Sequence, residues 1–291
     1  MTDGLTRILW TGTVGLDRTL DERIGAATSA GFEALSTSPG EAMSLREKGV
    51  KLTDAAGRAS GEGVPMLVLD AVFSWLRPSD AFGGSQPTSV EDCLRMASEM
   101  GVQFINAIAM RRRDDLPTEL IAERFAHLCH QAADIGCKIH LEFEPHSLLP
   151  DIASAWEIAR LAGCENGGVL FDSWHFFRGN PDFQALESIP GERIFSCQIS
   201  DGTAERVGHW SEEMMHHRLL PGDGAFDLTR AIRCLSDSGG LTLCGPEVLS
   251  DELHAPSPTS AAQRASERMG ALWSQASSGD AWSSPLGPRP A

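Results

Sequence analysis

Residues 65–71 read Pro65-Met66-Leu67-Val68-Leu69-Asp70-Ala71, and the class of fold turns on this run. Four consecutive apolar residues leave no polar face. A strand here is therefore covered on both sides, as in a parallel sheet flanked by helices. Short runs of the same kind recur at Arg7–Trp10, Phe32–Ser36, Gln103–Ala109, Lys138–Glu144, Gly168–Asp172, Arg193–Ile199 and Leu241–Leu249. Between them lie stretches with helical spacing: Thr19–Ala30, Glu41–Ser60, Val90–Met100, Pro117–Ile135, Ala153–Ala162, Asp182–Glu187 and Asp227–Ser238. A last helix spans Thr259–Trp273. Eight strand-then-helix units within about 250 residues are the measure of a single (β/α)8 TIM barrel. A doubly wound open sheet is the structural alternative. It usually has fewer strands, and no GxGxxG follows the first strand here.

Local punctuation agrees with this division. Ser89 precedes Val90-Glu91-Asp92, which places a cap and first-turn acids together, and Gly101 and Gly136 follow helical stretches. Residues 1–275 are assigned to the barrel. Residues 276–291, rich in Ser, Pro and Gly, are expected to be a disordered tail.

Charge and cysteine usage narrow the function classes. Lys plus Arg number 24 against 40 for Asp plus Glu, a net charge of −16, which argues against nucleic acid as a partner. No segment approaches 18 uncharged apolar residues, and Met1-Thr2-Asp3-Gly4 starts no basic-then-apolar leader, so no membrane partner is expected. Seven cysteines are scattered without a CxxC pair and read as buried thiols, with the cytoplasm as the expected location.

The C-terminal ends of barrel strands are where catalytic groups sit, and strands 5 to 8 each offer a polar group there. Strand 5 reads His140-Leu141-Glu142-Phe143-Glu144, with His140, Glu142 and Glu144 on one face. Strand 6 ends in Asp172-Ser173-Trp174-His175, strand 7 carries Gln198, and strand 8 carries Gly245-Pro246-Glu247. Carboxylates in apolar strand sequence are costly to bury unless paired or metal-bound. Glu142, Asp172 and Glu247, joined by the Gln198 amide, would make an oxygen-rich cage suited to one divalent cation (Mn2+, Mg2+ or Co2+). The alternative is that each acid binds an arginine or caps a following helix.

These segments resemble the xylose isomerase-like barrel superfamily, in its sugar phosphate isomerase and epimerase group. That pattern has a Glu in an L-E-F strand, an Asp in D-S-x-H, a His or Gln on strand 7 and a Glu ending strand 8. The resemblance implies that Glu142, Asp172, Gln198 and Glu247 ligate the cation. It also implies that Glu142 and Glu247 double as proton-transfer groups, and that His175 contacts substrate or the ligands. The stretch His217-Arg218-Leu219-Leu220-Pro221-Gly222-Asp223-Gly224 matches the family's R-x-x-P-G-x-G loop. Its glycines permit close approach to ligand, and Arg218 offers a planar fork as a substrate anchor. Gln198 departs from the His common in the epimerases. It cannot titrate, and with this loop it is similar to the 3-dehydroshikimate dehydratases.

Asn106 on strand 4 and Glu144 are further candidate substrate contacts, and the run Arg111-Arg112-Arg113-Asp114-Asp115 is a solvated loop or an anion contact. His146 and Asp201, like Glu144, lie close enough to help, whereas His216 and His217, next to Met214-Met215, lack metal spacing and are expected to line the loop.

The chemistry these residues imply is proton abstraction next to the carbonyl of a small polyhydroxy compound. Returning the proton elsewhere gives isomerisation or epimerisation, and expelling a β-hydroxyl gives dehydration. Glu142 or Glu247 is the expected base and His175 a proton donor or orienting group. The rival classes are an abasic-site endonuclease, disfavoured by charge and by too few strand-end histidines, and an inactive ligand-binding barrel. A homo-oligomer is possible by analogy alone.

Overall fold

The computed structural model describes residues 4–80, 87–109 and 116–278. Its strands are β1 (Thr6–Leu9), β2 (Ala34–Thr37), β3 (Met66–Val72), β4 (Phe104–Ile108), β5 (Lys138–Glu142), β6 (Gly167–Asp172), β7 (Ile194–Ile199) and β8 (Leu243–Pro246). Neighbours pair in parallel in sequence order and β8 closes on β1, so the fold is a closed (β/α)8 TIM barrel.

Strand alternation sorts side chains into two cores. Inward Ile8, Trp10, Ala34, Val68, Leu170 and Leu243 fill the bore. Outward Leu9, Leu35, Leu69, Ile105, Leu141, Phe171 and Ile199 pack beneath the helices, each contributing about 1.5–3 kcal/mol by leaving water. Trp10 spans the bore and donates from Nε1 to the Cys197 carbonyl at 3.2 Å. His140 is also interior. Its Nδ1 lies 3.0 Å from Ser196 Oγ and its ring stacks on Phe104. Burial pushes this imidazole down to about 3, so it sits neutral in the core. The next inward position on each strand, two residues onward, carries Asp70, Asn106, Glu142, Asp172 and Gln198. An apolar bore thus gives way to a polar mouth at the C-terminal end.

The helices depart from the sequence expectation in instructive ways. The stretch 41–60, read as one helix, is two, Pro39–Glu47 and Leu52–Gly61, parted at Gly49, whose φ of 76° no helix accommodates. Ser173–Arg178, Trp210–His216 and Asp251–His254 form short helices in segments that carry too few turns to show a period. The final helix runs Pro258–Ser278, past the expected end at Trp273, and packs along Leu20–Ala30. Residues 279–291 and the run Arg111–Asp115 lie outside the described residues.

All seven cysteines are free thiols, six buried and Cys234 half-buried. Among the described residues, no helix is long and apolar enough to cross a membrane.

Barrel closure leaves no room for a side chain at Gly245. A Cβ on Gly245 of β8 would overlap the Ile8 carbonyl of β1, whereas one on Gly25, mid-helix and exposed, meets nothing within 4 Å. Gly245→Ala is expected to cost about 3 kcal/mol or more, and Gly25→Ala to gain about 0.5–1 kcal/mol. Urea unfolding of both variants checks this, and equal midpoints would contradict it.

Candidate active site

Strand ends bring four carboxylates together. Asp70, Glu142 and Asp172 project inward from β3, β5 and β6, and Glu247 follows β8 by one residue, its N–H bound to the Ile199 carbonyl at 3.1 Å. Glu142, Asp172 and Glu247 are buried, with Asp172 wholly so.

A single guanidinium joins two of them. Arg218 Nη1 lies 2.9 Å from Asp172 Oδ2 and 3.3 Å from Glu247 Oε2, while its Nε donates to the Met214 carbonyl at 3.0 Å. The guanidinium carbon sits 5.2 Å from the Trp174 ring centre. Arg218, expected to hold substrate, is therefore itself buried among acids, and its backbone N–H is fixed by the Leu249 carbonyl.

Asp172 also accepts from the N–H groups of Trp174 (2.6 Å) and His175 (3.1 Å), capping the short helix Ser173–Arg178. That helix turns His175 back over the site. Nε2 of His175 lies 3.3 Å from Glu142 Oε1 and 3.6 Å from Asp172 Oδ2. Glu142, Asp172 and His175 form a group whose ligand atoms could hold a metal ion.

Gln198 donates from Nε2 to Glu247 Oε1 at 3.1 Å, and its Oε1 is buried without a partner. An unsatisfied carbonyl oxygen beside ionisable acids is what a cation ligand looks like without its ion. The donor set of three carboxylates, one amide oxygen and one imidazole fits a hard or borderline divalent cation.

Asn106, fully buried, donates from Nδ2 to Asp70 Oδ1 at 2.8 Å and to Glu142 Oε2. Asp70 was missed in the sequence reading, although it ends an apolar strand just as Glu142 and Asp172 do. Glu144 falls beyond β5, in the turn where its N–H binds the Leu149 carbonyl at 2.9 Å. It leaves the strand face expected for it, although its charge still reaches His175.

Asp201 and the Pro-Gly loop have a structural part. Its Oδ1 accepts from Gly202 and Phe226, and its Oδ2 from Gly222 and Gly224, at 2.8–3.1 Å. A Cβ at Gly224 would overlap this carboxylate. The close approach these glycines permit is to Asp201 rather than to a ligand. His216 and His217 are exposed and pair with Asp251 and Glu212.

Residues 24–271 match the sequence model of the xylose isomerase-like TIM barrel family. The chain belongs to that family. It is 28% identical over 163 residues to the inosose isomerase of Bacillus velezensis, covering 54% of this chain and 55% of that protein. It is 26% identical over 253 residues to the 3-dehydroshikimate dehydratase of Pseudomonas aeruginosa, covering 86% of this chain and 39% of that one. The chain thus spans about half or less of the length of these two relatives. Among solved structures, the IOLI protein with a bound zinc atom superposes with a TM-score of 0.80 at 20% identity, covering 93% of this chain and 99% of that one.

Burial drives the electrostatics. It raises Glu142 well above the usual carboxylate range, with Asp70 and Asp172 adding to the effect. It raises Glu247 likewise, against the pull of Arg218. Asp70 is pushed up to about 6 by burial and by Asp172, against its bond from Asn106. Asp172 alone is held low, because Arg218 and His175 outweigh its burial. Burial lowers His175, with Arg218 adding to the effect, so its imidazole favours the neutral form. Raised acids keep their protons to higher pH, so a divalent cation entering here has to expel them. Its apparent affinity is expected to rise as pH climbs through that range, with net proton release on binding. Calorimetric Mn2+ titrations in two buffers of different ionisation enthalpy check this. Equal apparent enthalpies and pH-independent affinity would contradict it.

Proposed function

We propose that the chain is a divalent-metal-dependent isomerase or epimerase acting on a polyhydroxy carbonyl compound by proton abstraction next to the carbonyl. The observation that carries the reading is the convergence of Glu142, Asp172 and Glu247 on His175, Arg218 and the unpartnered Gln198 oxygen at the strand ends. The names of the relatives, an inosose isomerase and a 3-dehydroshikimate dehydratase, support carbonyl chemistry on hydroxylated rings.

Glu142, Asp172, Gln198 and Glu247 would hold the cation, with His175 positioned to join or orient them. One structural neighbour holds a zinc atom, so zinc joins Mn2+, Mg2+ and Co2+ as a candidate. When bound, a divalent cation supplies positive charge against an oxygen that becomes anionic as the neighbouring carbon loses its proton.

The proton transfers fall to this chain's own residues. Glu142 and Glu247 come from different strand ends and have different partners, His175 and Asn106 for Glu142, Arg218 and Gln198 for Glu247. One, ionised, takes the α-proton and leaves the electron pair in the enolate. The other, after taking up a proton from solvent, returns it to the opposite face for epimerisation, or to the adjacent carbon for isomerisation. Arg218 limits how much negative charge Asp172 and Glu247 present at once. Neutral His175 can orient a hydroxyl through its unpartnered Nδ1.

Dehydration is the second reading. It is favoured by Gln198, which replaces a titratable ligand with one that cannot carry a proton, and by the longer match to the dehydratase. The same enolate then expels a β-hydroxyl, which leaves as water with the proton that the glutamate removed.

The Mn2+-loaded protein, incubated in D2O with ketoses, their phosphates, inososes and 3-dehydroshikimate, is read by proton NMR after metal removal. Deuterium next to a carbonyl together with a new isomer is the expected result. Olefinic or aromatic signals would move the reaction to dehydration, and no exchange with any compound would sink the proposal. Glu142→Gln and Glu247→Gln are each expected to lower kcat by roughly 10²–10⁴-fold, and EDTA to abolish turnover. Near-complete activity in both variants would overturn the assignment of the acids.

A further inference from the structure

Asp70 and Asn106 stand on the half of the barrel that the proton-transfer scheme leaves unused. We propose that they form an acceptor-only subsite that binds hydroxyl groups of a neutral polyol, and so selects against phosphate or carboxylate at that end of the substrate. The inference rests on the polyhydroxy-carbonyl reading above and adds a specificity-determining residue to it.

The geometry begins in the strand. Leu69 pairs with Ile105 but Val72 pairs with Ala107, so β3 spends three steps where β4 spends two. This irregularity falls on Asp70-Ala71, a device that re-aims side chains beside functional sites. Asp70, two residues beyond interior Val68, faces the mouth.

The chemistry of Asn106 is fixed by its neighbours. Two carboxyl groups flank its amide, and in their ionised forms both need donors, so the nitrogen faces them. One hydrogen goes to Asp70 Oδ1 and the other to Glu142 Oε2. No hydrogen remains on that nitrogen, and Oδ1 of this fully buried residue is left without a partner. Asp70 Oδ2 likewise receives no hydrogen bond among the described residues. Both free atoms only accept. They require a donor, which a hydroxyl brings and an ionised phosphate or carboxylate does not. An anion would also face Asp70 and Glu142 directly, while Arg218, the cation within this acid cluster among the described residues, is engaged by Asp172 and Glu247. Because Asn106 also grips Glu142, a hydroxyl held here lies on the side of the substrate that Glu142 reaches.

The test uses the full Mn2+-loaded chain and its Asp70→Asn and Asp70→Ala variants. The probes are an inosose, its mono-deoxy analogues, unreactive myo-inositol, and shikimate as the anion. In the wild type, removing one particular hydroxyl is expected to lower kcat/KM by about tenfold to hundredfold. Asp70→Ala should lower turnover of the parent compound by a similar factor yet cost the matching deoxy analogue little, so the two penalties do not add. Mn2+ affinity is measured for each variant and turnover is read at saturating Mn2+, which separates lost recognition from a weakened metal site. Penalties that add independently, or a variant that handles the parent compound as the wild type does, would overturn the subsite while leaving the proposed reaction intact. If the wild type exchanges protons with no compound, the reaction fails and binding decides the subsite. Preference for myo-inositol over shikimate, lost in Asp70→Ala, upholds it, and equal binding in both proteins overturns it.

Discussion

Too much negative charge in too little water is the constraint on which the site depends. Asp70, Glu142, Asp172 and Glu247 share the barrel mouth with the Arg218 guanidinium. An uncompensated buried carboxylate costs several kcal/mol even after relaxation, so the surrounding groups are arranged to relieve it. Arg218 takes Asp172 and Glu247, two backbone N–H groups cap Asp172, and Asn106 donates to Asp70 and Glu142. What these leave unrelieved raises the proton affinity of Glu142 and Glu247. The same deficit of positive charge that holds a proton also attracts a cation. Acid–base capacity and metal affinity are therefore two expressions of one arrangement.

The barrel makes this arrangement possible because alternation commits every second residue of a strand to the interior. Ile8, Val68 and Leu170 give an apolar bore, and neutral His140 with Ser196 forms a buried polar step one position below Glu142 and Gln198. The outer layer, sealed under helices, carries the stability. Loops are then fastened from the same end. Asp201 gathers four backbone N–H groups of the segment after β7, and that segment brings Arg218 to the acids.

Much of this was legible in the sequence, because the signals were strong and local. Continuous apolar runs such as Met66–Leu69 indicated covered parallel strands, and acids at the ends of such runs marked the mouth. What was not legible had physical reasons. One glycine with positive φ splits the stretch 41–60. The helix Ser173–Arg178 is too short to show a period, yet it carries His175 into the acids. Asp70 obeyed the strand-end rule but was passed over because the N-terminal strands offered no motif. Asp201 and Arg218 looked like ligand contacts by type, and only their partners reveal one as a loop clasp and the other as a counter-ion to the acids.

The account stands on the acids and the Gln198 oxygen holding one divalent cation. The most direct test is anomalous diffraction from crystals of the protein soaked in Mn2+ or Zn2+. One strong peak is expected at about 2.0–2.3 Å from oxygens of Glu142, Asp172 and Glu247, with Gln198 Oε1 turned toward it. No peak there at saturating metal, with Arg218 still bridging Asp172 and Glu247, would mean that the guanidinium is the permanent counter-ion and that the metal-dependent reading is wrong.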